Sequence, residues 1–259
     1  MNGLLLNVRD VTKNFGGLRA IDRVSFHINK GEIFSIIGPN GAGKTTMFNL
    51  ITGFLPATEG AIVFKDEIIS GLKPYQVARK NIARTFQLTM LFEQNTVLDN
   101  LIIGQRVTRE AGVLHSIFGL KKKKDREAKT VERAHELAEF VGLAGYKHTV
   151  AALMPHGAQK QLSIGLALAA EPELVLLDEP VEGVDMDEIG ILIDLIKRVR
   201  DSGITVCLIE HKMSVVMNIS DRILALNYGE KLIEDVPEVV CRDEAVIKSY
   251  LGDKYVVES

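Results

Sequence analysis

The sequence predicts an α/β fold with a mostly parallel central sheet, an antiparallel β region near the amino terminus and a helical insert over about residues 88–168. Three observations support this prediction. Short, nearly continuous apolar runs are typical of strands buried on both faces of a parallel sheet. Segments that alternate apolar and polar residues are typical of half-exposed antiparallel strands, and the middle third of the chain has helical periodicity.

The strands follow from these patterns in chain order. Half-exposed strands are predicted where apolar and polar residues alternate: residues 4–8, 24–28 and 61–64. Buried strands are predicted at three apolar runs: Ile33–Ile37, 174–177 and 204–209. Each buried run is followed by a glycine, an acid or a histidine. Because ligands bind beyond the carboxyl ends of parallel strands, these polar residues are the first candidates for a functional site.

A helix is predicted over about residues 125–141, where five apolar residues share one stripe: Val131, Ala134, Leu137, Ala138 and Val141. The acidic and basic residues of this stretch mostly fall off the stripe. The sequence shows no repeat and no low-complexity linker. We therefore expect residues 1–259 to form a single domain that contains the helical insert.

The composition disfavours several classes of protein. Apolar residues make up 46% of the chain and charged residues 25%, as in ordinary globular proteins, and a net charge of −3 disfavours a nucleic-acid partner. The two cysteines, Cys207 and Cys241, cannot build a disulfide framework or a structural zinc site. Neither a membrane span nor a secretory signal is predicted, so we expect a cytosolic protein.

The clearest motif follows the first buried strand. It is Gly38-Pro39-Asn40-Gly41-Ala42-Gly43-Lys44-Thr45-Thr46, which matches G-x-x-x-x-G-K-[ST] between a strand and a helix. Glycines let successive backbone N–H groups turn inward around an anion, and the following helix directs its positive end to the same place. Lys44 supplies a charge to the β- and γ-phosphates, and the Thr45 hydroxyl is a magnesium ligand. The motif predicts binding of a nucleoside triphosphate with Mg²⁺.

Two acids and a histidine follow the other buried strands. Asp178 and Glu179 come after the run 174–177, and His211 comes shortly after the run 204–209. These strands are predicted to end at the same edge of the sheet as the phosphate loop. We therefore expect Asp178 to hold the magnesium, Glu179 to polarise the attacking water and His211 to contact the γ-phosphate.

Together these motifs resemble the ATP-binding subunit of an ATP-binding-cassette (ABC) transporter, over essentially the whole chain. The resemblance implies a P-loop NTPase core with a RecA-like, mostly parallel sheet. It implies that Gln87 is the Q-loop glutamine, which contacts magnesium and senses the transmembrane partner, and that Asp185 lies in the D-loop. Glu179 then resembles the general base and His211 the switch histidine. Phe15 lies where the family places an aromatic residue that stacks on adenine, and core packing is the alternative for this residue.

One segment departs from the family pattern. The signature is typically Leu-Ser-Gly-Gly-Gln, and its spacing to the Walker B aspartate matches Met154-Pro155-His156-Gly157-Ala158 in this chain. Pro155 replaces the serine, which is compatible with a helix start because the missing N–H is not needed there. We expect the helix-end N–H groups around Pro155, His156 and Gly157 to contact the γ-phosphate that the opposite subunit holds.

The resemblance also implies the partners. One chain carries a single set of motifs, so two ATP-binding subunits, identical or different, would pack head to tail around ATP and Mg²⁺. Transmembrane permease subunits would hold this subunit peripherally on the inner face of the cell membrane and choose the solute. The implied activity is ATP hydrolysis coupled to transport, with no nucleic-acid partner.

Several stretches look most like the ATP-binding subunits of branched-chain amino-acid uptake systems: residues 15–18, 81–87, 209–213, 219–223 and 250–252. The ATPases of urea or amide importers and of lipopolysaccharide exporters are closely similar and remain alternatives. A soluble, non-transport ABC ATPase would normally carry tandem cassettes, a long coiled coil or a basic extension, and none is seen in the sequence. A P-loop GTPase would carry a guanine-reading Asn-Lys-x-Asp, which the sequence also lacks.

Overall fold

The computed structural model describes residues 3–85, 91–109 and 120–251. Its strands are β1 (Leu4–Phe15), β2 (Leu18–Asn29), β3 (Ile33–Ile37), β4 (Glu59–Phe64), β5 (Glu67–Ile68), β6 (Ile82–Arg84), β7 (Leu174–Asp178), β8 (Thr205–Ile209), β9 (Arg222–Asn227) and β10 (Glu230–Asp235). Its helices are α1 (Lys44–Ile51), α2 (Pro74–Ala78), α3 (Val97–Arg109), α4 (Leu120–Phe140), α5 (His156–Leu168), α6 (Met186–Asp201), α7 (Met213–Ile219), α8 (Pro237–Val240) and α9 (Glu244–Leu251). Two short 3-10 helices precede α5, at Ala144–Tyr146 and Ala151–Leu153.

The central sheet is mostly parallel, and this prediction is confirmed. Its strand order is β10-β9-β3-β8-β7-β6. Strand β3 pairs in parallel with β8 and β9, β7 pairs in parallel with β8 and β6, and β10 is antiparallel to β9. The three predicted buried runs form the inner strands β3, β7 and β8, and every residue of these strands is buried. Their carboxyl ends therefore meet at one edge of the sheet.

The antiparallel region is a separate four-stranded sheet with the order β2-β1-β4-β5. The predicted segments lie in β1, β2 and β4, but β1 and β2 are each 12 residues long. Several register shifts interrupt the pairing of β1 with β2. Because a β-bulge breaks the strict alternation, the sequence pattern covers only part of each strand. The longer hairpin carries Phe15 to the end of β1, opposite Leu18.

Three apolar clusters hold the layers together. The first lies between the antiparallel sheet and one face of the central sheet, and it contains Phe34, Phe48 and Phe64. The second joins the other face to α3, α4, α5 and α6. The third packs the carboxyl-terminal helices against Ile37 and β9. The end of β3, where the phosphate loop begins, is thus enclosed from several sides.

The periodicity of α4 is confirmed only in part. Ala134, Leu137, Ala138 and Val141 are buried, whereas Val131 is 42% exposed. Periodicity indicates which side a residue faces, but not how far the opposing surface extends, so a residue on the apolar stripe can remain exposed. Helices α3, α4 and α5 lie within the predicted insert, whose limits remain a prediction. Over the described ranges, no helix combines the length and apolar character that crossing a membrane requires.

Candidate nucleotide-binding and catalytic site

The predicted phosphate loop, residues 38–46, connects β3 to helix α1, which begins at Lys44. Its first residue, Gly38, has a φ of 147°, and a Cβ there would lie 2.2 Å from the backbone oxygen of Leu226 in β9. Only glycine fits so close to the neighbouring strand. The other loop residues differ in exposure: Asn40, Gly41 and Thr45 are exposed, Pro39, Gly43 and Thr46 are half-buried, and Ala42 is buried.

The Lys44 side chain folds back over this loop. Its Nζ donates hydrogen bonds to the backbone oxygens of Gly38, at 2.7 Å, and Pro39, at 3.0 Å. Burial lowers the pKa of the Lys44 ammonium, and the negative charges of Glu179 and Asp178 oppose this shift. The Lys44 ammonium therefore interacts electrostatically with both predicted acids at the sheet edge where β3 and β7 end.

Asp178 is buried at the end of β7, where it forms an ion pair that the sequence analysis did not identify. Its Oδ2 accepts a hydrogen bond from Nη2 of Arg84 at 2.8 Å. The other Arg84 nitrogen, Nη1, donates to Oδ1 of Asn49 at 2.7 Å and to Oγ1 of Thr52 at 3.3 Å. Arg84 thus joins the predicted magnesium ligand to helix α1. Strand β6, which supplies Arg84, has three residues and is too short to show a pattern.

Glu179 follows Asp178 in the left-handed backbone conformation, with a φ of 49°. Its backbone N–H donates to the oxygen of Ile209 in β8 at 3.0 Å. Burial raises the pKa of the Glu179 carboxyl, and a hydrogen bond and the charge of Glu182 raise it further. A raised pKa makes a carboxylate a stronger acceptor for a proton of water. This environment suits the predicted role of Glu179.

The backbone of Glu179 is also held from helix α5. Lys160 is buried, and its Nζ donates to the backbone oxygen of Glu179 at 3.3 Å. Burial lowers the pKa of Lys160, while Glu182 and Glu179 are the nearest opposing charges. The sequence analysis missed this residue, because Lys160 stands between Gln159 and Gln161 in a polar stretch that gives no signal of burial.

His211 lies just beyond β8, close to the predicted general base. Its Nδ1 is 3.8 Å from Oε1 of Glu179 and 3.6 Å from Oε1 of Glu210. Glu210 is fully buried, and its Oε1 accepts hydrogen bonds from the backbone N–H groups of His211, at 2.9 Å, and Lys212, at 3.1 Å. Glu210 therefore fixes the turn that presents the histidine, which is a role that sequence reasoning did not assign.

The predicted signature segment begins helix α5, with Pro155 at the N-cap. Nδ1 of His156 lies 3.0 Å from the backbone oxygen of Gly183, so this segment is tied to the predicted D-loop. A Cβ at Gly157 would lie 2.7 Å from the carboxyl carbon of Glu188 in α6. The Glu188 carboxylate of α6 therefore lies directly beside the glycine of the signature segment.

Exposed residues surround this helix start. Asp185, in the predicted D-loop, is exposed immediately before α6. The apolar side chains of Leu153 and Met186 are 77% and 84% exposed, beside Pro155 and Asp185 in the sequence.

Phe15 is 45% exposed at the end of β1, and Nζ of Lys13 lies 5.1 Å from the centre of its ring. An aromatic ring buried in the core would not keep this exposure. The structure therefore argues against the core-packing alternative and leaves a ring face available for adenine.

Replacing Phe15 by alanine is expected to weaken ATP binding by about 2- to 10-fold, because an aromatic stacking contact contributes about 0.5–1.5 kcal/mol. Calorimetric titration with ATP measures the change. Phe15→Tyr is the control, since it keeps the ring and should keep the affinity. An unchanged dissociation constant in Phe15→Ala would exclude stacking on adenine.

Gln87 lies outside the described residues. Its predicted roles, as a magnesium ligand and as a sensor of the transmembrane partner, stay predictions.

The protein donors beside the loop suit magnesium that is bound together with a nucleotide. The Thr45 hydroxyl and the Asp178 carboxylate are hard oxygen donors, and Mg²⁺ in such sites takes one or two protein ligands besides phosphate oxygens and water. Among the described residues, no cluster of three or more His, Cys, Asp or Glu side chains could hold a metal by itself. The residues present therefore fit a metal that shares its ligands with the triphosphate.

A phosphate loop combined with acids at the end of another parallel strand defines a P-loop NTPase. Comparisons with known proteins identify the family. The family model described as ABC transporter matches residues 21–182. The high-affinity branched-chain amino acid transport ATP-binding protein LivG of Escherichia coli (strain K12) is 37% identical over 254 residues, which cover 98% of this chain and 100% of the relative. The chain belongs to the ABC transporter family and is an ATP-hydrolysing subunit of a transport system.

Solved structures agree with this assignment. The crystal structure of the ADP conformation of an ABC transporter cassette matches with a TM-score of 0.84 and 31% identity, covering 96% of this chain and 99% of that one. A dimeric, post-hydrolysis cassette bound to ADP and Pi matches with a TM-score of 0.73 and 25% identity, covering 90% and 99%. The predicted P-loop NTPase fold and the predicted family are confirmed.

Proposed function

We propose that this chain powers the import of branched-chain amino acids, by hydrolysing ATP with Mg²⁺ while docked on permease subunits. The observation that carries the choice of solute is the 37% identity with LivG over 98% of the chain. The observation that carries the chemistry is the meeting of the phosphate loop, Asp178, Glu179 and His211 at one sheet edge.

In this proposal the γ-phosphoryl group binds between Lys44 and the ends of β7 and β8. Lys44 and the loop N–H groups stabilise the charge that spreads over the phosphoryl oxygens in the transition state. Glu179 accepts a proton from water as the water oxygen attacks the γ-phosphorus and the bond to the bridging oxygen of ADP breaks. His211 contacts the transferred group. Magnesium held by Thr45 and Asp178 supplies further charge neutralisation when it is bound.

We further propose that the signature segment completes the site of a second cassette. Helix α5 is 13 residues long, so its first turn presents backbone N–H groups and a partial positive charge to a phosphate. The exposed Leu153 and Met186 beside this turn support burial of the surface against a partner. The dimeric state of the related cassette supports the same arrangement.

A groove between the central sheet and α5 is the surface that we assign to the permease. Its volume is about 420 Å³, and its lining includes Tyr75, Phe54 and Phe92, which are 60%, 51% and 47% exposed. Arg84 and Thr85 form its inner end. Three exposed aromatic side chains around one concave surface suit an apolar segment of a membrane partner. Docking there would place the chain at the inner face of the membrane.

The decisive experiment measures solute uptake in cells of the source organism from which this gene has been deleted. Uptake of radiolabelled leucine, isoleucine and valine is expected to fall, and the full chain supplied in trans should restore it. The chain carrying Glu179→Gln is the matched control that should not restore uptake, and permease should co-purify with both forms. If leucine uptake stayed intact while urea uptake or lipopolysaccharide export was lost, the proposed solute would be wrong and the lost one would be assigned instead.

A further inference from the structure

The carboxyl-terminal helix α9 contacts the first residue of the phosphate loop. The backbone N–H of Gly38 donates a hydrogen bond of 2.7 Å to the hydroxyl oxygen of Tyr250. The Tyr250 ring is half-buried against the third apolar cluster, which includes Ile37 at the end of β3 and Val246 of α9. The Tyr250 side chain thus connects α9 to the end of β3, where the phosphate loop begins.

The Gly38 N–H needs such a partner. It lies just beyond the last pair of β3 with β9, formed by Ile37 and Ala225, and it is buried. A buried N–H without a partner destabilises the folded chain, so the tyrosine hydroxyl stabilises this particular backbone conformation. The backbone of β9 also runs close to Gly38, since a Cβ at this position would lie 2.2 Å from the oxygen of Leu226.

The same glycine anchors the lysine of the loop. While its N–H is bound to Tyr250, its backbone oxygen accepts the 2.7 Å hydrogen bond from Nζ of Lys44. A rotation of the Gly38 peptides would therefore change the position from which the Lys44 ammonium reaches a phosphate.

Beyond Gly38, α9 and the loop are separated. A cavity of about 410 Å³ lies between them, lined by Pro39, Asn40 and Ala42 of the loop and by Ala245, Lys248 and Ser249 of α9. Burial raises the pKa of the Tyr250 hydroxyl; the hydrogen bond from Gly38 opposes this shift and the charge of Glu210 adds to it, so the hydroxyl keeps its proton. The neutral hydroxyl therefore contacts the loop at its first residue, while open space separates α9 from Pro39, Asn40 and Ala42.

We propose that Tyr250 is a positioning residue for ATP, whose hydroxyl holds Gly38 so that Lys44 and the loop amides face the triphosphate. The proposal requires ATP binding by this chain but neither the proposed solute nor a permease. Tyr250→Phe removes the hydroxyl and keeps the ring in the apolar cluster, so the fold is retained.

The test is steady-state ATP hydrolysis by the full chain. In Tyr250→Phe the KM for ATP is expected to rise about 3- to 10-fold, the equivalent of one hydrogen bond, while kcat stays within about 2-fold. Tyr228→Phe is the control, because Tyr228 lines the same cavity but is 86% exposed, and its KM should not change. A wild-type KM in Tyr250→Phe, or a fall in kcat and thermal stability without a change in KM, would overturn the proposal. Either result would leave the transport function untouched.

Discussion

Replacing Lys44 by alanine is expected to raise the dissociation constant for ATP at least about 100-fold, because each charge-assisted hydrogen bond to phosphate contributes about 1.5–3 kcal/mol. The ammonium is held over the loop by the backbone oxygens of Gly38 and Pro39, so its removal takes a positive charge directly from the phosphate loop. Calorimetric titration with ATP and magnesium measures the loss.

The control for this experiment is Lys129→Ala, which removes an exposed lysine from α4 and should leave ATP binding unchanged. The two variants lose the same charge, so a difference between them reports on the site rather than on the net charge of the chain. Wild-type affinity in Lys44→Ala would disprove the phosphate-loop assignment.

Replacing Glu179 by glutamine is expected to lower kcat by about 10²- to 10⁴-fold, which is the contribution of a general base. The substitution keeps the size of the side chain and the two backbone contacts, to Ile209 and Lys160, so ATP binding should be retained. Since ATP binds but is not cleaved, dimers with trapped nucleotide should accumulate. Steady-state hydrolysis and size-exclusion chromatography with ATP measure the two effects.

Glu132→Gln, on the exposed surface of α4, is the matched control and should hydrolyse ATP at the wild-type rate. Undiminished turnover in Glu179→Gln would assign the proton transfer to another group. If turnover and ATP affinity both fall in Glu179→Gln, the Glu179 carboxylate acts in binding rather than in the chemical step.

The central sheet and the phosphate loop could be predicted because their signals are local. A strand buried on both faces requires an apolar run, and a loop that surrounds phosphate requires its glycines and lysine in sequence, so β3, β7, β8 and residues 38–46 were identified directly. The order of the strands brings Asp178, Glu179 and His211 to the loop, as the general rule for parallel sheets predicts.

The supporting contacts could not be predicted, because they join residues far apart in the chain. Arg84 reaches Asp178 only through the pairing of β6 with β7, and Lys160 reaches Glu179 only through the packing of α5. Tyr250 and Gly38 are 212 positions apart. Glu210 is next to His211 in the sequence. The sequence pattern does not show, however, that its carboxylate accepts hydrogen bonds from the backbone N–H groups of His211 and Lys212 in the following turn. Val131 lies on the predicted apolar stripe and is nevertheless 42% exposed, because periodicity does not report how far the opposing surface extends.

The position of Arg84 has a consequence for energy conversion. Arg84 is among the residues that line the groove, and its guanidinium is paired with Asp178, with both side chains almost wholly inaccessible to water. Electrostatic interactions are strong where water is excluded, so displacing this cation towards the groove would leave a carboxylate uncompensated, at a cost of several kcal/mol. A partner docked in the groove and a nucleotide bound in the site would then both influence where the Arg84 guanidinium lies. A movement of the partner against the groove would therefore change the charge around Asp178.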